Sequence, residues 1–194
     1  IEEALRVLVP KLSGAFSFTV LTQEKLIGIC DQNGLRPLEL ARMSGGKGWV
    51  LSSETSTLNM AQAELVRSIN PGEMVVIDKY GTRSEPLYDG KETAYRKCLF
   101  EPVYFSRPDS TTDYYPEGKN GLPVRRSYQL IRHRKGELLA SQQETHADLV
   151  LAVPESGRPA AEGFASKSGI PLKTGIIKNT FIGRTFTSPS PAMR

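Results

Sequence analysis

The chain has 194 residues, of which 39% are hydrophobic and 24% are charged, and a formal net charge of +4. These values are those of a soluble globular protein that is long enough for one large or two small domains. They exclude a membrane protein, because no apolar run approaches the roughly twenty residues of a membrane span. The acidic start differs from a basic secretory signal, and Cys30 and Cys98 lack a CxxC spacing. We therefore expect a cytoplasmic protein with reduced thiols.

The ends of the sequence indicate a piece of a longer protein. The chain begins at Ile1 without a methionine and stops at Arg194 with no obvious closing element. We expect further sequence on both sides.

Hairpins with interspersed helices are predicted for the first half of the chain. Apolar spacing and turn residues predict, in chain order, a helix over 2–12 that Pro10 kinks or ends early, strands over 16–21, 26–30, 49–52 and 73–78, and an extended segment over 82–88. Ser56 or Thr57 is predicted to cap a further helix that runs through Leu58, Ala61, Leu65 and Val66. This mixture is typical of an α+β layer structure.

A surface loop is predicted over 111–123 and a helix over 127–143, with these apolar residues available for burial: Tyr128, Leu130, Ile131, Leu138 and Leu139. The basic run 132–135 fits either a solvated helix face or a nucleic-acid contact. No aromatic stacking pattern accompanies the run, so we favour the solvated face and predict no nucleic-acid partner. His133 and His146 lack the spacing of metal ligands and are predicted to be surface imidazoles.

The last part of the chain predicts a βαβ unit and hence a parallel sheet. Residues 148–153 are typical of a buried strand, 159–165 of a helix that ends before Gly169, and 171–177 of a second strand. Ligands of such sheets bind beyond the carboxyl ends of the strands. Those ends carry Glu155, Ser156, Gly157, Lys178, Asn179, Gly183, Arg184 and Thr185. The first loop opens a helix, whose N-terminus attracts anions. A phosphorylated ligand fits this region, and an ordinary loop with solvated charges fits it equally well.

Blocks along the whole chain resemble the amidophosphoribosyltransferase family. VPESGRPAAEGFASKSGIP followed by GIIKNTFIGRTF is similar to its phosphoribosyltransferase half. GAFSFTVLT, IGICDQNGLRPLEL, WVLSSETSTLNM and NPGEMVVID are similar to the latter half of its glutaminase domain, and CLFEPVYFSRPDS to the entry into the transferase domain. The resemblance implies a glutaminase part over 1–96 and a phosphoribosyltransferase part over 97–194. The implied fold class is α+β followed by α/β: a partial N-terminal-nucleophile (αββα) fold, then a partial type I phosphoribosyltransferase parallel sheet.

The resemblance implies part of the enzyme that opens purine biosynthesis. That enzyme converts glutamine, phosphoribosyl pyrophosphate and water to 5-phosphoribosylamine, glutamate and pyrophosphate. Its glutaminase nucleophile is an N-terminal cysteine that would lie upstream of this chain, so no catalytic residue is expected here and Cys30 is excluded from that role. Asp31 and Arg36 are expected to form a structural ion pair or to support a ligand loop. The chain alone is expected to be inactive, because it holds only part of each active site.

For the transferase half, the resemblance implies that phosphoribosyl pyrophosphate binds together with Mg²⁺. It makes Ser156 a contact or oxygen ligand of Mg²⁺, with Glu155 and Gly157 shaping the pyrophosphate loop. The implied substrate and phosphate contacts after the second strand are Lys178, Asn179, Arg184 and Thr185. Two departures are evident: Thr180 and Phe181 replace an arginine and a tyrosine of the family's lid, and the acidic ribose-phosphate motif is absent.

Cys98 matches a position that ligates a [4Fe–4S] cluster in one subgroup of the family, but a small buried thiol is the favoured interpretation. Pro102 replaces an aromatic residue and lacks an N–H group, which implies an edge-strand position. The family also implies regulation by purine nucleotides, a homotetramer and no membrane partner. Two alternatives stay open: a non-catalytic nucleotide-binding or scaffolding relative, and an RNA-binding module that rests only on the arginine cluster.

Overall fold

The computed structural model of the chain describes residues 1–46, 48–88, 93, 95–114, 124–181 and 190. They form two compact units, Ile1–Tyr128 and Gln129–Arg194. Strands and helices occur in both units, so the chain has mixed α/β content. No helix among the described residues is long and apolar enough to cross a membrane.

Two antiparallel sheets make up most of the first unit. Its elements are α1 (Glu2–Leu8), β1 (Ser17–Leu21), β2 (Leu26–Cys30), β3 (Glu39–Met43), β4 (Trp49–Ser52), α2 (Thr55–Met60), β5 (Ala63–Ser68), β6 (Glu73–Asp78), β7 (Gly81–Pro86), β8 (Thr111–Tyr114) and β9 (Val124–Ser127). One sheet has the strand order β1-β2-β6-β7, a second has the order β4-β3-β5, and β8 and β9 form a separate hairpin. The strands predicted over 26–30, 49–52 and 73–78 are confirmed to the residue.

The strand β6 lies in the core because neighbouring elements cover both of its faces. Met74 and Val76 pack into one apolar cluster, with residues of β2 and α1. Val75 and Ile77 pack into a second cluster, with residues of β3 and β4 from the other sheet. Because alternate residues of a strand point to opposite faces, a strand covered on both sides is apolar throughout. The uninterrupted apolar run 74–77 shows this pattern.

The helix predicted from Ser56 or Thr57 through Val66 is wrong beyond its first turns. α2 ends at Met60, and its N-cap residue is Glu54. The chain then passes through Gln62, whose φ of 50° lies in the left-handed region, and enters β5, which pairs with β3. The apolar spacing of the segment fits a helix as well as a strand, and nothing in the pattern indicates the left-handed residue. The strand β3 was not predicted from the sequence.

Two predictions for the segment after residue 97 are corrected. Pro102 lies in the first turn of a short π-helix, Glu101–Phe105, and not in an edge strand. Proline is tolerated there because the first N–H groups of a helix have no partner within it. The predicted surface loop begins later than expected, since Thr111–Tyr114 forms β8 and pairs with β9. Residues 115–123 of that loop lie outside the described residues.

The second unit contains the predicted βαβ unit. Its elements are α3 (Tyr128–Gln142), which begins at the last residue of the first unit, β10 (Val150–Leu151), α4 (Arg158–Ser168) and β11 (Leu172–Lys173). β10 and β11 pair in parallel, with Val150 opposite Leu172, so the predicted parallel arrangement is confirmed although both strands are shorter than expected. α4 ends at Gly169, which adopts the left-handed conformation common at helix ends.

The predicted solvated basic face of α3 is only partly correct. Arg134 is exposed, but Arg132 is 2% exposed, and His133 and Lys135 are half-buried. His146 is exposed, as predicted. Of the apolar residues offered for burial, Tyr128 is buried, Ile131 is half-buried, and these are exposed: Leu130, Leu138 and Leu139. The buried face of α3 is therefore not the face that carries its leucines.

Two glycines allow α3 and α4 to cross with their backbones in contact. A Cβ added at Gly136 of α3 would lie 1.9 Å from the carbonyl oxygen of Ala160, and one added at Gly163 of α4 would lie 1.9 Å from that of His133. The contact is reciprocal, since each helix presents a glycine to a carbonyl of the other. Backbones at this separation are held by Cα–H···O contacts and close packing.

Replacing Gly163 by alanine tests this crossing. Alanine normally favours a helix over glycine by about 1 kcal/mol. Here we expect the opposite sign, a loss of about 2 kcal/mol or more, because the new methyl group forces two backbones apart. Urea unfolding measures the difference. Ser166→Ala, on the exposed side of the same helix, is the matched control and should be neutral or slightly stabilising. A Gly163→Ala protein as stable as the original chain would contradict the close crossing.

A partly buried ion pair joins β5 of one sheet to β6 of the other. Arg67 donates from Nη2 to Oε1 of Glu73 at 2.5 Å and from Nη1 to Oε2 at 2.9 Å, and the N–H of Asn70 donates to the same carboxylate at 2.7 Å. Burial alone would raise the pKa of Glu73, but the hydrogen bonds from Arg67 and Asn70 outweigh it and leave the pKa lowered.

The pair should make stability depend on pH. A carboxyl whose pKa is lowered on folding stabilises the fold above its unfolded pKa of about 4.3, and this contribution is lost as the pH falls through the folded value. We expect Arg67→Met to cost about 2 kcal/mol at pH 7 and clearly less at pH 2, measured by urea unfolding at both values. Arg107→Met, which breaks only an exposed pair with Asp109, is the control and should cost less than about 1 kcal/mol. An Arg67→Met loss that does not change with pH would contradict this account.

Candidate functional site

The loop between β10 and α4 holds three of the residues predicted to bind phosphate: Glu155, Ser156 and Gly157. They form a turn directly before Arg158, the first residue of α4, and Gly157 is the N-cap residue of that helix. A Cβ at Gly157 would lie 2.8 Å from the carbonyl oxygen of Val153. The loop therefore folds back tightly on the strand that precedes it, and this close approach requires glycine.

The same loop offers hydrogen-bond donors to a ligand. Its carbonyl groups are used internally: Glu155 accepts from the N–H of Arg158 at 3.2 Å, and Gly157 accepts from that of Ala161 at 3.0 Å. Within the part of the chain that the structure describes, the hydroxyl of Ser156 and the N–H groups of Ser156 and Gly157 make no hydrogen bond. These donors lie at the start of an eleven-residue helix, where the helix dipole favours an anion.

The second group of predicted contacts follows β11. Lys178 and Asn179 are exposed, and the side-chain oxygen of Asn179 accepts from the N–H of Phe181 at 3.0 Å. Because β10 and β11 are parallel, the chain leaves both strands toward the same edge of the sheet. Among the described residues, no hydrogen bond or ion pair joins Lys178 or Asn179 to the loop at Ser156. Arg184 and Thr185 lie outside the described residues.

The oxygen atoms near Ser156 are too few to hold a metal ion by themselves. They fit a metal ion that is already bound to the phosphates of a ligand. The loop supplies one hydroxyl and one exposed carboxylate, that of Glu155, and the described residues contain no cluster of three or more acidic, histidine or cysteine side chains. Mg²⁺ commonly keeps several waters and takes few protein ligands when phosphates supply the rest. A [4Fe–4S] cluster needs four thiolates, and the described residues, whose cysteines are Cys30 and Cys98, do not supply that set.

The first unit contains a cleft of about 550 Å³. Arg36 lines the cleft and contacts two other lining residues. Its Nη1 lies 2.6 Å from Oε1 of Glu101, and its guanidinium lies 5.1 Å from the ring centroid of Phe105. Glu101 is nearly buried, and its second oxygen accepts from the hydroxyl of Ser106 at 3.2 Å. Other residues that line the cleft are Phe16, Phe18 and Glu54. Glu54 and Glu101 were not among the predicted site residues; the one sequence signal is that Glu101 interrupts the apolar run 99–105.

The expected ion pair between Asp31 and Arg36 does not form; Asp31 instead anchors the backbone of its own loop, and whether that loop contacts a ligand stays a prediction. The carboxylate of Asp31 is 1% exposed and accepts four backbone N–H groups, from Phe16, Asn33, Leu35 and Arg36, at 2.9–3.4 Å. A carboxylate that is fully hydrogen-bonded to the backbone needs no cation beside it. The side chain of Arg36 is therefore available to Glu101.

The two thiols differ in their surroundings. Cys30 is 1% exposed, and burial, together with the charge of Asp31, raises the pKa of its thiol to about 12. A thiol that stays protonated is a poor nucleophile, which agrees with the exclusion of Cys30 from catalysis. Cys98 is half-buried, so its prediction as a buried thiol is corrected. Both cysteines are free.

Thiol labelling should distinguish them. At pH 8 we expect iodoacetamide to modify Cys98 in the folded chain and to leave Cys30 unmodified over the same time, because reaction requires an accessible thiolate. Intact mass and peptide mapping report the sites. The Cys98→Ser chain is the control and should take up no label until urea unfolds it. Rapid labelling of Cys30 in that folded variant would contradict the burial of this thiol.

Comparisons with known proteins relate the whole chain to one group of enzymes. The chain is 40% identical over 194 residues to the amidophosphoribosyltransferase of Mycobacterium tuberculosis (strain ATCC 25618 / H37Rv), which covers 100% of the chain and 34% of that protein. It is 42% identical over 196 residues to that of Synechococcus elongatus, covering 100% of the chain and 36% of the relative. The chloroplastic amidophosphoribosyltransferase 1 of Arabidopsis thaliana is 40% identical over 184 residues, with 95% of the chain and 30% of the relative covered.

Solved structures agree. A glutamine phosphoribosylpyrophosphate amidotransferase from B. subtilis, complexed with ADP and GMP, matches 99% of the chain and 39% of its own length with a TM-score of 0.80 and 35% identity. A structure described as the allosteric regulatory enzyme of purine biosynthesis matches with the same score and identity, over 99% of the chain and 38% of its own. No family model matches the sequence. The chain spans about a third of the length of the curated relatives, and at this identity over its whole length it belongs to the amidophosphoribosyltransferase family.

Proposed function

We propose that this chain is part of an enzyme that carries out the first step of purine biosynthesis. The enzyme hydrolyses glutamine to glutamate and ammonia, and the nitrogen of ammonia forms a bond to C1 of phosphoribosyl pyrophosphate as the bond to pyrophosphate breaks. The products are 5-phosphoribosylamine and pyrophosphate. The observation that carries the proposal is the loop at Ser156, which presents unused donors at the start of a helix after a parallel strand. The names of the relatives support it.

In this proposal the loop binds the pyrophosphate group. The N–H groups of Ser156 and Gly157 and the hydroxyl of Ser156 donate to phosphate oxygens, and their charge-assisted bonds strengthen as the leaving group gains charge. Ser156 would hold Mg²⁺ through its hydroxyl oxygen, with Glu155 shaping the loop, and the metal would supply charge neutralisation of the leaving pyrophosphate. Lys178, Asn179, Arg184 and Thr185 would contact phosphate from the segment after β11. None of the described residues is proposed as the glutaminase nucleophile.

The finer organisation is also part of the proposal. Residues 1–96 would be the latter part of an N-terminal-nucleophile glutaminase domain, supported by the two antiparallel sheets packed on a helix. Residues 97–194 would begin a type I phosphoribosyltransferase domain, supported by the parallel βαβ unit. We further propose a cytoplasmic homotetramer that purine nucleotides regulate. Free thiols at Cys30 and Cys98 are consistent with the cytoplasm, and the B. subtilis structure with ADP and GMP supports nucleotide binding.

The loop can be tested in the full-length gene product. Gly157→Ala places a methyl group against the carbonyl of Val153, so we expect the loop to shift and the Kd for phosphoribosyl pyrophosphate, measured by calorimetry with Mg²⁺, to rise about tenfold or more. Ser156→Ala removes one donor, and ammonia-dependent formation of phosphoribosylamine should fall about 10- to 100-fold in kcat/KM. Ser166→Ala on α4 is the matched control and should change neither value.

The outcomes separate the proposals. Loss of binding in Gly157→Ala with intact folding supports the phosphate loop. A full-length protein that binds phosphoribosyl pyrophosphate but forms no phosphoribosylamine would indicate a non-catalytic nucleotide-binding or scaffolding relative. The replacements at Thr180 and Phe181, of which Phe181 is 97% exposed, give a reason to make that measurement. Unchanged binding in both loop variants would contradict the proposed site.

A further inference from the structure

The cleft of the first unit is a concave site whose wall includes a π-helix. Its volume of about 550 Å³ lies in the range of small-molecule binding sites. Two of its lining residues, Glu101 and Phe105, are the first and last residues of the π-helix, a rare helical form that is frequent at functional sites. Glu101 is 8% exposed. The cleft therefore combines a nearly buried carboxylate with an aromatic ring.

A cation of the protein already occupies this pair of groups. The guanidinium of Arg36 contacts both of them, at 2.6 Å from Oε1 of Glu101 and 5.1 Å from the ring centroid of Phe105. The carboxylate attracts the cation by its charge, and the ring attracts it by the negative face of its π-system. A guanidinium therefore fits this cleft beside a carboxylate and an aromatic ring.

The cleft contains the same two kinds of group a second time. Phe16 and Phe18 stack with ring centroids 4.7 Å apart and an angle of 12° between their planes, and both line the cleft together with Glu54. Oε2 of Glu54 accepts from the hydroxyl of Ser110 at 2.9 Å and from the N–H of Arg107 at 3.1 Å. Its Oε1 makes no hydrogen bond or ion pair with any residue that the structure describes.

The charges of the lining leave room for one more cation. The residues that line the cleft include two carboxylates, those of Glu54 and Glu101, and one guanidinium, that of Arg36, which gives a net charge of −1. Arg36 pairs with Glu101, whereas the donors to Glu54 are a neutral hydroxyl and a backbone N–H. A carboxylate with an unused oxygen, in a cleft with exposed aromatic rings, favours a positively charged ligand with an apolar body.

We propose that the cleft binds a small organic cation of the alkylguanidinium class at Glu54 and the stacked rings of Phe16 and Phe18. The cation donates to Oε1 of Glu54 and lies against a ring face, as Arg36 does at Glu101 and Phe105. No step of the proposed function uses this cleft, which belongs to the first unit, whereas the phosphate loop belongs to the second. The two proposals therefore fail independently.

The site is tested by calorimetry on the full-length gene product. The probe is n-butylguanidinium, and n-butylurea, which has the same shape and no charge, is the control ligand. We expect a Kd in the millimolar range for butylguanidinium, as for other ligands of about eight non-hydrogen atoms, and no measurable binding of butylurea.

Two variants locate the binding. Glu54→Gln removes the charge but keeps the shape and an acceptor oxygen for Ser110 and Arg107, and we expect it to raise the Kd about fivefold or more. Phe18→Leu removes one ring face at a side chain that is 40% exposed and should raise the Kd about threefold. Glu64→Gln, at an exposed carboxylate of β5, is the matched control and should leave the Kd unchanged.

Each result decides the question. A folded Glu54→Gln protein with the original Kd would overturn the proposal. Should that variant fail to fold, Phe18→Leu takes its place, and an unchanged Kd there has the same meaning. Binding of butylurea as tight as that of butylguanidinium would show recognition of an apolar chain instead of a charge, and would also overturn it. Absence of probe binding to the original protein would do so as well.

Discussion

The buried carboxylate of Asp31 is the interaction on which the first unit depends. Its side chain accepts hydrogen bonds from N–H groups of the turn that follows β2 and from the N–H of Phe16, before β1. Its main-chain carbonyl oxygen accepts from the N–H of Gly34 and from that of Gly72, in the turn before β6. One residue therefore joins three loops at the same end of the sheets. A buried charge is tolerable only when donors satisfy it, and here the backbone satisfies it completely. Without it, the loop that carries Arg36 would lose its anchor.

The position of Arg36 links this end of the sheets to the segment that follows residue 97. Its pair with Glu101 and its stacking on Phe105 hold the π-helix. The carboxylate of Glu54 accepts hydrogen bonds from the hydroxyl of Ser110 at 2.9 Å and from the N–H of Arg107 at 3.1 Å, which hold the segment after the π-helix. These contacts explain why the first compact unit continues to Tyr128, well past the domain boundary that family resemblance suggests at 96. The compact units are defined by contacts within the fold, whereas the boundary at 96 comes from the resemblance to the family, so the two need not coincide. The boundary at 96 stays a prediction.

The strands that are buried on both faces were predicted correctly from their apolar runs and the turn residues beside them. β2 and β6 are buried on both faces and are bounded by turns, so their limits were found to the residue. The segment after α2 failed because Leu58, Ala61 and Leu65 fit a helical period while the strand depends on a left-handed Gln62 and on pairing with β3. The βαβ pattern located the loop at Ser156 between a strand and a helix, and its binding of phosphate stays a prediction. The Glu54–Ser110 contact could not be found, because a hydroxyl more than fifty positions away leaves no periodic trace in a sequence.

The crossing of α3 and α4 has a consequence for how this region can vary. The contact at Gly136 and Gly163 is made by main-chain atoms, which are the same whatever side chains the helices carry elsewhere. As long as both glycines remain, the outer faces of the two helices are free to change composition, including the exposed leucines of α3, without altering where α4 begins. Substitutions elsewhere on the two helices leave this main-chain contact in place, so the outer surface of the helices can change while the loop ahead of α4 keeps its position.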